Sequence, residues 1–207
     1  IPGLKVVMPT TPHDVKGLLI SSIEDNNPVI FIEHRWLYNI VGDVPEGVYR
    51  VPLGQSKITR EGSDLTIVAS SYMALEALRA AEILAEENIM AEVIDLRTLK
   101  PLDNILILQS VSKTGRLIVA DTGWKTAGFG AEIVASVTEK GLKYLKNSPV
   151  RISLPDCPAP TTAALANAYY PRAVDIVVSA REMFQAKERN SSSLVSGSVL
   201  LDVPDKS

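Results

Sequence analysis

Short runs of β-branched and aliphatic residues recur along the chain, each separated from the next by a longer stretch with apolar residues three and four apart. This alternation predicts an α/β fold, a mostly parallel sheet with flanking helices, because parallel neighbours need a crossover and a helix is the usual one. The strand runs are residues 4–8, 28–33, 65–69, 91–94, 116–121 and 150–153. The first helix is capped by Thr11, with Pro12 at its first position and Asp14 in its first turn, and continues through Val15, Leu18, Leu19 and Ile23 to the polar turn before Pro28. The run Pro28 to Glu33 is apolar on both faces, which predicts a central strand. The helix over 72–88 carries Ala74, Ala77, Leu78, Ala81, Leu84 and Ala85 on one stripe, with Glu76, Arg79, Glu82 and Glu86 outside. Further helices are expected over 103–112, 128–140 and 171–187, the last with Val174, Val177, Val178 and Phe184 inward.

The first β-α-β unit, residues 1–40, is too small to bury a core alone. Residues 41–62 are rich in Gly and Pro and read as a linker, with an edge strand at Val48 to Val51. Residues 63–187 form the main domain, and the Ser/Gly content of 188–207 suggests a mobile tail. The chain opens on Ile1-Pro2-Gly3 and is expected to be a piece of a longer protein.

A net charge of −3 gives no cationic face, so nucleic acid is not an expected partner. No apolar run is long enough to span a membrane, so none is expected as a partner. A single cysteine, Cys157, excludes an internal disulfide and a cysteine-based zinc site, and suits a reducing, cytoplasmic setting.

Three places have residues suited to chemistry. Gly123 to Ile133 joins a strand to a helix and contains Gly123, Gly128 and Gly130, which suit either a phosphate approaching backbone N–H groups or tight helix–sheet packing. Ile133 stands where a dinucleotide fingerprint has its third glycine, so packing is the expected use. Asp95 and Arg97 follow a strand, where open α/β sheets place their ligands, though a loop-fixing ion pair is the commoner use. His13 is expected to be exposed, and His34, beside Glu33, structural. No serine or cysteine is spaced to partner either histidine, so the residues alone contain no self-contained catalytic set.

The segment LKVVMPTTPHDVKGLLISSIEDNNPVIFIEH resembles the end of the pyrimidine-binding domain in beta subunits of the decarboxylating component of 2-oxoacid dehydrogenase complexes. IDLRTLKPLD (94–103), SVSKTGRLIVAD (110–121), GFGAEI (128–133) and PDCPAP (155–160) resemble the transketolase C-terminal domain type that follows it. Asp121 departs from the pattern, since many relatives have Glu there. The resemblance implies an enzyme using thiamine diphosphate and magnesium, in which the cofactor lies between an alpha subunit and the beta subunit's pyrimidine domain. The cofactor's ylid attacks a 2-oxoacid and the acyl unit passes to lipoamide. Implied partners are the alpha subunit, a second beta subunit and a lipoyl transacylase core. The family's activating glutamate and active-site histidine are expected upstream of Ile1, so the fragment itself is expected to be inactive and to serve assembly and docking. Pyruvate, a branched-chain oxoacid and acetoin all remain open as substrates. The alternatives are a non-catalytic assembly module and the C-terminal domain of a transketolase-like transferase.

The resemblance also implies a potassium site at the end of the first helix, formed by backbone carbonyls of Ser22, Ile23, Asp25 and Asn27. The other reading of that turn is an ordinary helix C-cap. The last carbonyls of a helix lack intrahelical partners and form the negative end of its dipole, which suits either.

Overall fold

The computed structural model describes residues 1–193, with side chains as far as residue 185. In chain order the elements are β1 (Lys5–Val7), α1 (Pro12–Ile23), β2 (Val29–Phe31), a 3-10 turn (Arg35–Asn39), β3 (Lys57–Arg60), β4 (Leu65–Ala69), α2 (Tyr72–Glu86), β5 (Ala91–Asp95), β6 (Thr98–Lys100), α3 (Asn104–Thr114), β7 (Leu117–Trp124), α4 (Phe129–Gly141), β8 (Val150–Leu154), α5 (Ala163–Tyr169) and α6 (Ala173–Ser193). The main sheet has the order β3-β5-β4-β7-β8, parallel throughout except for β3, which runs antiparallel to β5. A second sheet, β2-β1-β6, pairs β1 parallel to β2 and antiparallel to β6.

Period-two alternation along β4 builds the core on both sides of the main sheet. Leu65, Ile67 and Ala69 face α2 and α6, where they meet Met73, Ala77, Leu84, Ile176 and Ala180. Val68 faces α3 and α4, against Ile107, Val111, Ile133 and Val137. Thr66 shares that second face and is satisfied there by the hydroxyls of Ser110 and Thr114, both at 2.7 Å. The helix ends follow from local chemistry. Thr11 accepts the Asp14 N–H at 3.2 Å, Asp103 accepts the Leu106 N–H at 3.2 Å, and Gly115 closes α3 in the left-handed conformation.

Several expectations are corrected. The edge strand is Lys57–Arg60, not residues 48–51, where Val51 instead buries its side chain beside Gly17 and Leu18 of α1. Among the described residues β2 is the edge of its sheet rather than central, and Ile30 is accordingly exposed. Glu76 is buried, not on the outer face of α2, because it accepts from Arg79 at 2.6 Å and from the backbone N–H of Ala173 at 2.8 Å. The buried face of α6 is Ile176, Val177, Ala180 and Met183, while Val174 and Val178 are exposed. That helix also continues beyond 187 to Ser193, so the tail expected from 188 is helical at first; residues 194–207 lie outside the described residues.

Candidate functional site

Open α/β sheets take their ligands beyond the carboxyl ends of the strands, and those of β4 and β5 belong to that rim. Here the first β-α-β unit occupies them. The Arg97 guanidinium makes a bidentate pair with Asp14 of α1, at 3.0 Å from Nε and 2.6 Å from Nη2, between two side chains that are only 12% and 2% exposed. Thr10 donates to the Ser71 carbonyl at 3.2 Å, and the Met8 N–H donates to the Arg97 carbonyl at 2.9 Å. The expected Asp95–Arg97 ion pair is therefore corrected. Asp95 accepts only the backbone N–H of Arg97, at 3.1 Å, while the guanidinium crosses to Asp14. Arg97 and Ser71 both hold positive φ, +58° and +51°, so the backbone at this seam is held in a conformation that L residues seldom adopt. Burial pushes the Asp95 carboxyl up to about 6, and its Oδ2 has no hydrogen-bond partner.

The two histidines both stack on neighbouring rings, and His13, expected to be exposed, is half-buried. His13 stacks on Tyr49 at 4.7 Å between ring centroids, and its Nδ1 lies 3.2 Å from Asp14 Oδ1. His34 caps the 3-10 turn through Nδ1, which accepts the Trp36 N–H at 3.3 Å, and its ring stacks on Tyr72 of α2 at 5.1 Å. Burial lowers its pKa, so the imidazole is neutral at physiological pH. Trp36 meets Tyr72 and Tyr170 edge-on, and the Arg172 guanidinium lies 4.7 Å above the Trp36 ring while donating to the Tyr72 hydroxyl at 2.6 Å. This aromatic cluster is the second joint between the first unit and the main domain. Its cationic place is filled by Arg172.

The glycine segment packs tightly. A Cβ on Gly128 would fall on the Trp124 carbonyl oxygen, and one on Gly130 would meet the Val119 side chain at 3.4 Å. Asp121 lies against its own loop beside Gly123, and burial pushes its carboxyl up, with the nearby Thr122 and Gly123 N–H groups opposing this only in part.

At the end of α1 the Glu24 N–H closes on the Ile20 carbonyl at 3.1 Å. Asp25 forms an ion pair with Lys5 and accepts both the backbone N–H of Asn27 at 2.8 Å and its side-chain amide at 3.2 Å. Those contacts hold the Asp25 carboxyl below the usual carboxylate range, the Lys5 ammonium first among them. Above this turn a groove of about 480 Å³ runs between α1 and the 3-10 turn, lined by Val15, Leu19, Ile20, Ile23, Leu37 and Tyr38 among others. Its polar groups are already engaged: Lys16 donates to the Pro45 carbonyl at 2.6 Å and Glu33 accepts from Tyr38 at 3.0 Å. No cluster of three or more His, Cys, Asp or Glu side chains suited to a metal exists among the described residues. A diphosphate with its magnesium therefore does not fit the groups present, and no chemical step is assigned to them.

Residues 54–176 match the family model for the transketolase C-terminal domain, and residues 1–41 match the transketolase pyrimidine binding domain. The chain is 46% identical over 182 residues to the acetoin:2,6-dichlorophenolindophenol oxidoreductase subunit beta of Cupriavidus necator, covering 88% of this chain and 54% of that protein. It is 43% identical over 185 residues to the pyruvate dehydrogenase E1 component subunit beta of Bacillus subtilis, covering 89% of this chain and 57% of that one. A solved structure described as a split gene transketolase, inactive beta4 tetramer, superposes with a TM-score of 0.73 at 27% identity, over 89% of this chain and 58% of that chain. The chain thus spans a little over half the length of the relatives it matches. With the doubly wound domain, the preceding β-α-β unit and both matches in the same order, the chain belongs to the transketolase C-terminal domain family.

Proposed function

We propose that this chain is the C-terminal part of the beta subunit of a thiamine diphosphate-dependent 2-oxoacid or acetoin dehydrogenase, and that its own work is assembly. The observation that supports this best is the ordered pair of matches, pyrimidine-binding residues first and C-terminal domain second, together with relatives named as pyruvate and acetoin oxidoreductase beta subunits. On this reading the Asp14–Arg97 pair and the Trp36 cluster fix the angle at which the pyrimidine-binding unit is presented to an alpha subunit. The exposed apolar groups of Leu19, Ile23 and Tyr38 suit burial in the assembled enzyme. A second beta subunit and a lipoyl transacylase core are the further partners.

Two measurements test this. The 207-residue chain alone should show no decarboxylation and no saturable calorimetric binding of thiamine diphosphate with magnesium. The full-length subunit, mixed with its alpha subunit, should reduce an artificial acceptor on addition of pyruvate or acetoin. A micromolar isotherm for the chain alone overturns the assembly role. A silent mixture overturns the enzyme.

We also propose that the carbonyls of Ser22, Ile23, Asp25 and Asn27 hold a potassium ion in that enzyme. The Asp25 carboxylate is committed to Lys5 and Asn27, which leaves backbone oxygens as the ligands at the negative end of α1. Potassium is expected to raise the thermal midpoint and cofactor affinity of the full-length subunit where sodium does not. Equal midpoints and affinities in both salts, with Asn27→Pro behaving as wild type, leave only a helix cap.

A further inference from the structure

We propose that Asp95 is a proton-operated latch between the first β-α-β unit and the main domain, closed when its carboxyl is protonated and loosened when it ionises. The argument starts from geometry. Asp95 ends β5, is 1% exposed, and lies where Thr10, Asp14 and Arg97 converge. One oxygen takes the Arg97 N–H and the other, Oδ2, has no partner although it is buried. The cation that would compensate an ionised Asp95 has both of its paired nitrogens on Asp14, so ionisation places two carboxylates before one guanidinium.

The surrounding groups add no second compensating charge. Asp14, with His13 against it, comes from α1; the end of β4 brings only Ala69, Ser70 and Ser71. Tyr72 of α2 is held by Arg172, and Asp103 before α3 is held by the N–H groups of Ser56 and Leu106. Lys57, the register partner of Asp95 on β3, is exposed. The Thr10 hydroxyl lies beside Asp95 but gives its proton to the Ser71 carbonyl, so the Arg97 backbone and charge are left to steady the ionised form. Desolvation outweighs them and pushes the carboxyl up to about 6.

The sign follows from that direction. A closed seam binds the proton more tightly than an open one, where Asp95 is in water with an ordinary carboxylate pKa. Closure is therefore most favoured below the ordinary carboxylate range and weakens as pH rises through about 6. The joint divides two units of a single chain, so loosening it frees β1 and α1 without unfolding β4, β5 and β7.

Hydrogen exchange of the 207-residue chain, corrected for intrinsic rates, tests this segment by segment. Opening of β1 and α1 is expected to rise about tenfold between about pH 5 and about pH 7.5, with β4 and β7 unchanged. Asp95→Asn should abolish that rise and slow exchange of α1 at the upper pH. Asp14→Asn, which frees the Arg97 guanidinium to pair with an ionised Asp95, should flatten the rise, and serves if the Asn variant of Asp95 does not fold. His13→Gln should leave the rise in place. A rise that survives in Asp95→Asn, a rise undiminished in Asp14→Asn, a rise lost in His13→Gln, or one shared equally by β4 and β7 overturns the latch.

Discussion

Replacing Arg97 by alanine is expected to cost about 3–5 kcal/mol of stability, because the change strands the Asp14 carboxylate in a buried place without its partner. Asp14 is 1% exposed and its only other side-chain neighbour in hydrogen-bond range is His13. The loss is local in origin and should appear first at the joint. Trp36 stands in the aromatic cluster that forms the other half of that joint, so its fluorescence should change at lower urea than the far-ultraviolet signal of the main domain. Asp14→Ala should cost a similar amount, and the double variant much less than the sum of the two. Arg97→Lys should not restore the wild type, since an ammonium cannot reproduce the two parallel bonds. A penalty below about 1 kcal/mol for Arg97→Ala would mean that the pair behaves like an exposed ion pair and that the aromatic cluster alone holds the units together.

Gly128→Ala is expected to lower the thermal midpoint by about 6–12 °C, which corresponds to about 3 kcal/mol of overpacking in a chain of this size. The backbone at Gly128 is ordinary, with φ −75° and ψ 159°, so the penalty is steric and not conformational. The added methyl must displace the Trp124 carbonyl, a main-chain atom at the end of β7 that cannot swing aside as a side chain would. Gly130→Ala is the matched control. It places a Cβ at 3.4 Å from the Val119 side chain inside α4, where alanine is also the better helix former, and should be close to neutral. If Gly128→Ala is as stable as wild type, the loop has room to spare and the packing explanation of its glycines fails.

The strands that were legible in the sequence are those whose apolar content exceeds what one helix face would need. β4, interrupted only by Thr66, and the first half of β7 are aliphatic runs, buried by α2 and α6 on one side and α3 and α4 on the other. β3 and β6 were not legible, because KITR and TLK are short and polar and become strands only by pairing with β5 and β1. Helix α5 was missed for a related reason: seven residues hold too little apolar pattern to separate it from loop. In α6 Val177 is inward as expected, but Val174 and Val178 are exposed and Ile176 takes the space against α2.

The site was legible only as residue types. Asp95 and Arg97 drew notice by following a strand, but their proximity in sequence suggested a pair with each other. The true partner of Arg97 lies 83 residues away, and no periodicity encodes such a contact. In the glycine segment the close contacts at Gly128 and Gly130 accord with the packing expected there. The turn at Asp25 and Asn27 has the hydrogen bonds of a stable cap, and these are compatible with either use of its carbonyls.

The pairing of β1 with β6 sets a timetable for synthesis. Val7 finds its antiparallel partner at Thr98, about ninety residues later in the chain. At ribosomal speeds of about 5–20 residues per second, β1 waits roughly 5–20 s with one edge open. The β2 edge it meets early is only three residues long. During that interval the aliphatic residues of β1 and α1 are accessible to holding chaperones and to neighbouring nascent chains. The pairing of β1 with β6 therefore comes long after β1 is made, and its speed is governed by loop closure over about ninety residues rather than by any helix or hairpin.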